Sequence, residues 1–158
     1  MSMGVKFLIK KNAVKTLLFF ERWHSRFYYW KIILNPNITI DRTTRILPSA
    51  LLETYLGGSI SIGRCTEILH GAVIQTYGGN IVIGNHCSIN PYTIIYGHGN
   101  TTIGDNVLIA GGCMIIPSNH NFIRVDVPIN SQGAKSIGIV IEDDVWICLL
   151  YTSPSPRD

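Results

Sequence analysis

Few side chains in this 158-residue chain could do chemistry, and their spacing narrows the choice. His120 stands in Pro117-Ser-Asn-His120-Asn-Phe, inside the longest stretch without repeat character. An imidazole titrates near about 6.5, so it can take or give a proton at neutral pH. His98 lies among glycines in Gly97-His98-Gly99-Asn100, where a simple turn is the expectation. His70 and His86 fall where the repeat described next turns a corner, and no role is assigned to them. Cys65, Cys87 and Cys113 form no ligand set; Cys87 and Cys113 are expected to be buried reduced thiols, and Cys65 sits isolated at a corner. Nothing in this cysteine usage demands an oxidising compartment, so a cytoplasmic location is the default.

These residues must be positioned by a backbone with a short period. Aliphatic residues recur every six positions: Ile40, Ile46, Leu52; Ile62, Ile68, Ile74; Ile83, Ile89, Ile95; Ile103, Ile109, Ile115; and again Ile141 and Ile147. Four residues after most of them comes a small or slender one, as at Thr44, Ala50, Thr66, Ala72, Cys87, Thr93, Val107, Cys113 and Val145. A fixed period is the mark of a solenoid, and six residues is too short for a helix pair. A short strand and a turn use about six residues, so three sides close a triangular coil of about eighteen. The aliphatic residue points inward, and the slender one fills a corner. Gly63-Arg64, Gly84-Asn85 and Gly104-Asp105-Asn106 read as corners, because Gly, Asn and Asp tolerate positive φ.

The coil starts at Ile40, Ile62, Ile83 and Ile103 are 22, 21 and 20 residues apart. The excess over eighteen falls each time after the third aliphatic mark. Insertions therefore leave one corner, as Leu56-Gly57-Gly58, Tyr77-Gly78-Gly79-Asn80 and Gly97-His98-Gly99-Asn100, with the largest spanning 117–138. Loops stacked along one edge of a rigid prism are a good place to build a site.

Composition and the chain ends bound the rest. The length allows one domain. Residues 1–34 carry seven basic residues against Glu21, a sum of +6, so the remainder sums to −3 within the net +3. The coil thus offers no basic track for nucleic acid. Residues 1–36 lack the hexad and read as a basic amphipathic helical cap, with an alternative role for residues 5–34 as a membrane-surface contact. No uncharged apolar run there approaches the roughly 20 residues of a membrane span. The β-helix domain is expected over 37–147. The last residues, 148–158, abandon the hexad and resemble the translation of a transposon-type sequencing adapter. They are expected to be a non-native tail, with further coils following Ile147 in the natural chain.

The motifs Ile83-Gly-Asn-His-Cys-Ser-Ile-Asn90-Pro, Ile103-Gly-Asp-Asn-Val-Leu-Ile-Ala, Pro117-Ser-Asn-His120-Asn-Phe and Ile141-Glu-Asp-Asp-Val-Trp146-Ile resemble the hexapeptide-repeat acyltransferases. Sugar and polysaccharide O-acetyltransferases, with the galactoside and maltose branch, are the most similar group, over about residues 38–147. The resemblance implies an all-β fold, the left-handed parallel β-helix, with a short N-terminal helical segment. It implies acetyl-CoA as co-substrate, no metal, a sugar or saccharide acceptor, and a homotrimer with sites between prisms. His120 would be the general base on the acceptor hydroxyl. Asn90 would help hold the acceptor, Gln132 would orient the long loop beside it, and Trp146 would pack at the acyl-CoA cleft or the subunit interface. The sequence departs from the family at Glu142, where glycine is common, and at Cys148, where glycine is expected. The coils that would wall the rest of the coenzyme pocket do not follow.

Two other readings share the fold. A γ-type carbonic anhydrase needs three imidazoles on one zinc with an open water position, two of them five residues apart, and no such histidine pair exists here. A non-catalytic scaffold or binding module is the other; loss of His120 or a short loop would favour it, and neither is seen.

Overall fold

A computed structural model describes residues 30–148. The expected cap over 1–36 and the membrane contact over 5–34 lie almost wholly outside the described residues, as does the tail beyond Cys148. Of the amino-terminal segment, one helical turn at 30–33 is described, with Leu34 N–H donating to Trp30 O at 3.0 Å. Pro36 opens the second of two compact units.

That unit is a parallel β-solenoid of about four turns, as the hexad predicts. Its first coil is β1 (Ile38–Ile40), β2 (Arg45–Ile46) and β3 (Leu51–Glu53), and its second is β4 (Ile60–Ile62), β5 (Glu67–Ile68) and β6 (Val73–Gln75). The third coil is β7 (Ile81–Ile83), β8 (Ser88–Ile89) and β9 (Ile94–Tyr96); the fourth is β10 (Thr101–Ile103), β11 (Leu108–Ile109) and β12 (Met114–Ile115). A two-stranded excursion, β13 (Ser118–His120) and β14 (Ala134–Ser136), precedes a partial fifth coil of β15 (Ile139–Ile141) and β16 (Trp146–Ile147). Equivalent strands stack into three faces, β1-β4-β7-β10-β15, β2-β5-β8-β11-β16 and β3-β6-β9-β12.

Register keeps like on like. Ile40, Ile62, Ile83, Ile103 and Ile141 form one ladder, and Leu52, Ile74, Ile95 and Ile115 another. Ile62, Ile68, Ile74, Ile83, Ile89, Ile95, Ile103 and Ile109 are all buried. Each such side chain removed from water contributes roughly 1.5–3 kcal/mol. The slender corner residues are buried too, and their polar atoms are used. Thr44, Thr66 and Thr93 donate their hydroxyls to the carbonyls of Gly63, Gly84 and Ala110 in the next coil, at 2.6, 2.8 and 3.0 Å. Cys87 Sγ lies 3.1 Å from Gly104 O, and burial pushes its thiol, like that of Cys113, above the ordinary range. Both cysteines are buried free thiols.

Two details differ from the sequence reading. The first face carries a second inward ladder, Ile38, Ile60, Ile81 and Thr101, two positions before the aliphatic marks. Strand residues alternate sides; on this face both end residues point inward, whereas on the third face only the middle one does. The first corner also works differently from expectation. Positive φ falls on Cys65, His86, Asn106 and Asp144, while Gly84 is needed for closeness. A Cβ on Gly84 would lie 2.5 Å from Gly104 O in the next coil. Glu142 takes the equivalent position in the last described coil, where it is exposed.

Candidate functional site

The third-to-first-face corner carries all the insertions, and the longest carries His120. After β12 the chain rises as an antiparallel ribbon in which His120 faces Ala134 and Ser118 faces Ser136. Asn121 N–H extends the ribbon by donating to Gly133 O at 3.0 Å. Beyond it the loop has no repeat partner, and Gln132 holds it instead. The Gln132 amide nitrogen donates to Arg124 O at 2.7 Å and Val127 O at 2.8 Å, while its oxygen accepts from Arg124 N–H at 3.0 Å. Asn121 Nδ2 adds a bond to Gln132 O at 3.0 Å. At the rim, Arg124 pairs with Asp126 at 2.6 Å and holds that carboxyl below its ordinary range. His120 itself is exposed on the ribbon.

Asn90 and Trp146 lie elsewhere in the chain. Asn90 closes β8 at the corner between the second and third faces, where its Nδ2 donates to Ile109 O at 2.8 Å. That bond ties the side chain to the next coil. Trp146 stands on the second face above Leu108 and Ser88, outward and 72% exposed. The four residues therefore split into two groups: His120 with Gln132 on the ribbon, and Asn90 with Trp146 along the second face. The width of the third face separates the ribbon's corner from Asn90's corner. A groove of about 560 Å³ lies against the loop, lined by Phe122, Arg124, Val125, Asp126 and Ile129, and does not include His120.

The structure also assembles a group of rings that the sequence reading missed. His98, expected in a simple turn, stacks on Tyr77 with centroids 4.5 Å apart and planes 9° apart. Tyr55 meets Tyr77 edge-on at 5.2 Å, and Tyr96 leans against Tyr77 at 4.6 Å. Tyr55, Tyr77 and His98 are equivalent positions of successive coils, 22 and 21 residues apart. Those intervals match the coil starts, and that match was the available signal. The Tyr77 phenol is pushed above its ordinary range, first by hydrogen bonding with Tyr96 and then by burial.

The fold and these groups define a parallel β-solenoid bearing a histidine ribbon on its insertion edge, compatible with the hexapeptide-repeat coil. No protein-family model and no curated protein matches the sequence. Among the described residues, no three His, Cys, Asp or Glu side chains gather as a metal site, and no helix is long and apolar enough to cross a membrane.

Proposed function

We propose that this chain is an acyltransferase of the left-handed hexapeptide-repeat type, moving an acetyl group from acetyl-CoA to a sugar hydroxyl. The observation that carries the reading is His120, exposed on a ribbon that Gln132 braces and that a rigid coil presents. In the reaction, His120 takes the proton from the acceptor hydroxyl as its oxygen attacks the thioester carbonyl. The tetrahedral intermediate collapses with cleavage of the C–S bond, and the coenzyme A thiolate leaves and is reprotonated. A base of this kind contributes about 10²–10⁴ in rate. Backbone N–H groups near the thioester would stabilise the developing oxyanion.

The division of His120 and Gln132 from Asn90 and Trp146 supports a site built between copies of the chain, one copy supplying the ribbon and the next a prism face. A cyclic trimer satisfies this with one repeated interface. The basic segment 5–34 fits a cytoplasmic enzyme that meets a lipid-linked acceptor at a membrane surface.

The test is acceptor-dependent conversion of acetyl-CoA, followed by chromatography of free coenzyme A and acetylated sugar. His120→Ala is expected to lower it by about 10²–10⁴ while leaving the oligomer intact. Equal turnover in the variant removes His120 from the mechanism. Absence of turnover in the parent chain favours a non-catalytic coil.

A further inference from the structure

The aromatic column on the insertion edge is more ordered than a turn requires. Tyr55, Tyr77 and His98 come from three successive coils, with His98 stacked on Tyr77 at 4.5 Å, Tyr55 edge-on to Tyr77 at 5.2 Å, and Tyr96 braced against the middle ring. Beside them runs a polar rail: Gln75 Nε2 donates to Glu53 Oε2 at 2.9 Å, and the Tyr77 hydroxyl donates to Gln75 Oε1 at 3.4 Å. His98 Nδ1 is buried and has no hydrogen-bond partner among the described residues. The long loop springs from directly above. Ile139 N–H donates to Asn100 O at 3.0 Å, and a Cβ on Gly99 would sit 3.1 Å from Ser136 at the end of β14. The column therefore leads up to the base of the ribbon that bears His120.

We infer that this column is a binding subsite for a neutral saccharide, holding the acceptor sugar units next to the one that reacts. This rests on the acetyl-transfer reading and names where the rest of the acceptor lies. The chemistry of the column selects the ligand. Tyrosine rings offer rigid apolar faces with polar tips, at little entropic cost. A sugar ring matches them, with a C–H face to lay on an aromatic ring and a rim of hydroxyls for the Glu53–Gln75 rail. The Glu53 carboxylate opposes an anionic ligand. A quaternary ammonium needs several ring faces turned toward one empty point, whereas here Tyr77 and His98 are stacked on each other and Tyr55 meets Tyr77 edge-on, leaving the exposed Tyr55 ring to take a ligand. Because the backbone ladder fixes successive coils, the column exists before the ligand arrives, which lowers the cost of binding.

Proton NMR of the His98 and tyrosine ring resonances tests this on the whole chain without acetyl-CoA, with maltose and lactose as probes and choline and galacturonate as controls. Either neutral disaccharide is expected to shift those signals saturably. Tyr77→Ala and the exposed-ring variant Tyr55→Ala should each weaken that binding at least tenfold, with unchanged circular dichroism. Shifts with choline or galacturonate but not with the disaccharides overturn the proposal, as does silence from every probe. Sugar binding at the column without any acetyl transfer leaves the subsite standing and removes the reaction. Acetyl transfer to an oligosaccharide with no ring shifts does the reverse.

Discussion

Ile89 in the coil is fully buried, with Ile68 in the coil before it and Ile109 in the coil after. Ile123, in the 117–138 loop, is 88% exposed and has no counterpart one coil away. The same residue type meets two kinds of order. In the coil, polar partners come from the neighbouring turn, as when Thr66 reaches Gly84 and Asn85 reaches Asp105. In the loop they come from nearby in sequence, through Gln132 to Arg124 and Val127. A repeat can hold a core with side chains that each do one small job. An excursion from it must rely on a single residue that does several.

The sharpest way to break this contrast is to truncate one isoleucine of each kind. Ile89→Ala should destabilise the protein by about 2–5 kcal/mol, because the gap it leaves between two coils cannot close without moving both. Ile123→Ala should change stability by no more than about 0.5 kcal/mol. Denaturant unfolding followed by circular dichroism measures both, and comparable losses would mean that the loop shares the coil's core.

Gly84→Ala attacks the coil from the other side, by adding an atom. Its Cβ would press on the Gly104 carbonyl and on Asp105 Oδ1 in the next coil, so the expected loss is about 1–3 kcal/mol. A neutral result would show that adjacent coils can part locally.

Gln132→Ala tests the loop's dependence on one side chain. It removes three hydrogen bonds at once. Global unfolding of the coil should keep its midpoint, since nothing in the ladders is touched. Amide exchange at Arg124 should accelerate, and protease cleavage within 121–131 should follow. If the midpoint falls instead, the loop and the coil unfold as one unit.

How much of this was open to inspection in the residues follows the same division. Ile62, Ile83 and Ile103 announce their burial because each occupies the same environment one coil on, so the period is the environment. The ladder at Ile60, Ile81 and Thr101 keeps the same intervals but was less visible, since a period of six marks one residue per strand and only the first-face strands turn both of their end residues inward. Gly84 was legible as a corner residue but for a different reason than the true one, since close approach depends on the neighbouring coil. In the loop, His120 stood out by its motif, whereas the bonds of Gln132 depend on a local fold with no period to expose it. His98 stacks on Tyr77 because both keep their column despite the insertion between them, and the matching 22- and 21-residue intervals from Tyr55 were the one trace of it in the sequence.

The smallest expected effect concerns the corner column Asn85, Asp105 and Asp143, where the coil uses its neighbours most economically. Asn85 Oδ1 accepts from Arg64 N–H at 2.9 Å, and Asp105 Oδ1 from Asn85 N–H at 2.7 Å. Asp143 Oδ1 repeats the contact with Asp105 N–H at 2.7 Å. The bond from Asn85 N–H favours the ionised form of Asp105, and this backbone donation is the main cause that lowers the Asp105 carboxyl below its ordinary value of 3.8. A carboxyl lowered in the folded state stabilises it above the unfolded value, and that contribution disappears as pH falls through the lowered one. The coil should therefore weaken below about pH 4. Asn85 shows that an amide serves in this column, so Asp105→Asn should keep the acceptor and remove the titration. At pH 7 its unfolding midpoint should fall slightly below that of the parent, because the charge and the bond from Asn85 Nδ2 to Asp105 Oδ2 are lost. Between pH 4 and pH 2 it should lose less stability than the parent does, as measured by thermal unfolding across that window. An identical acid profile for both proteins would mean that the hydrogen bond, with or without charge, accounts for all that the Asp105 side chain contributes.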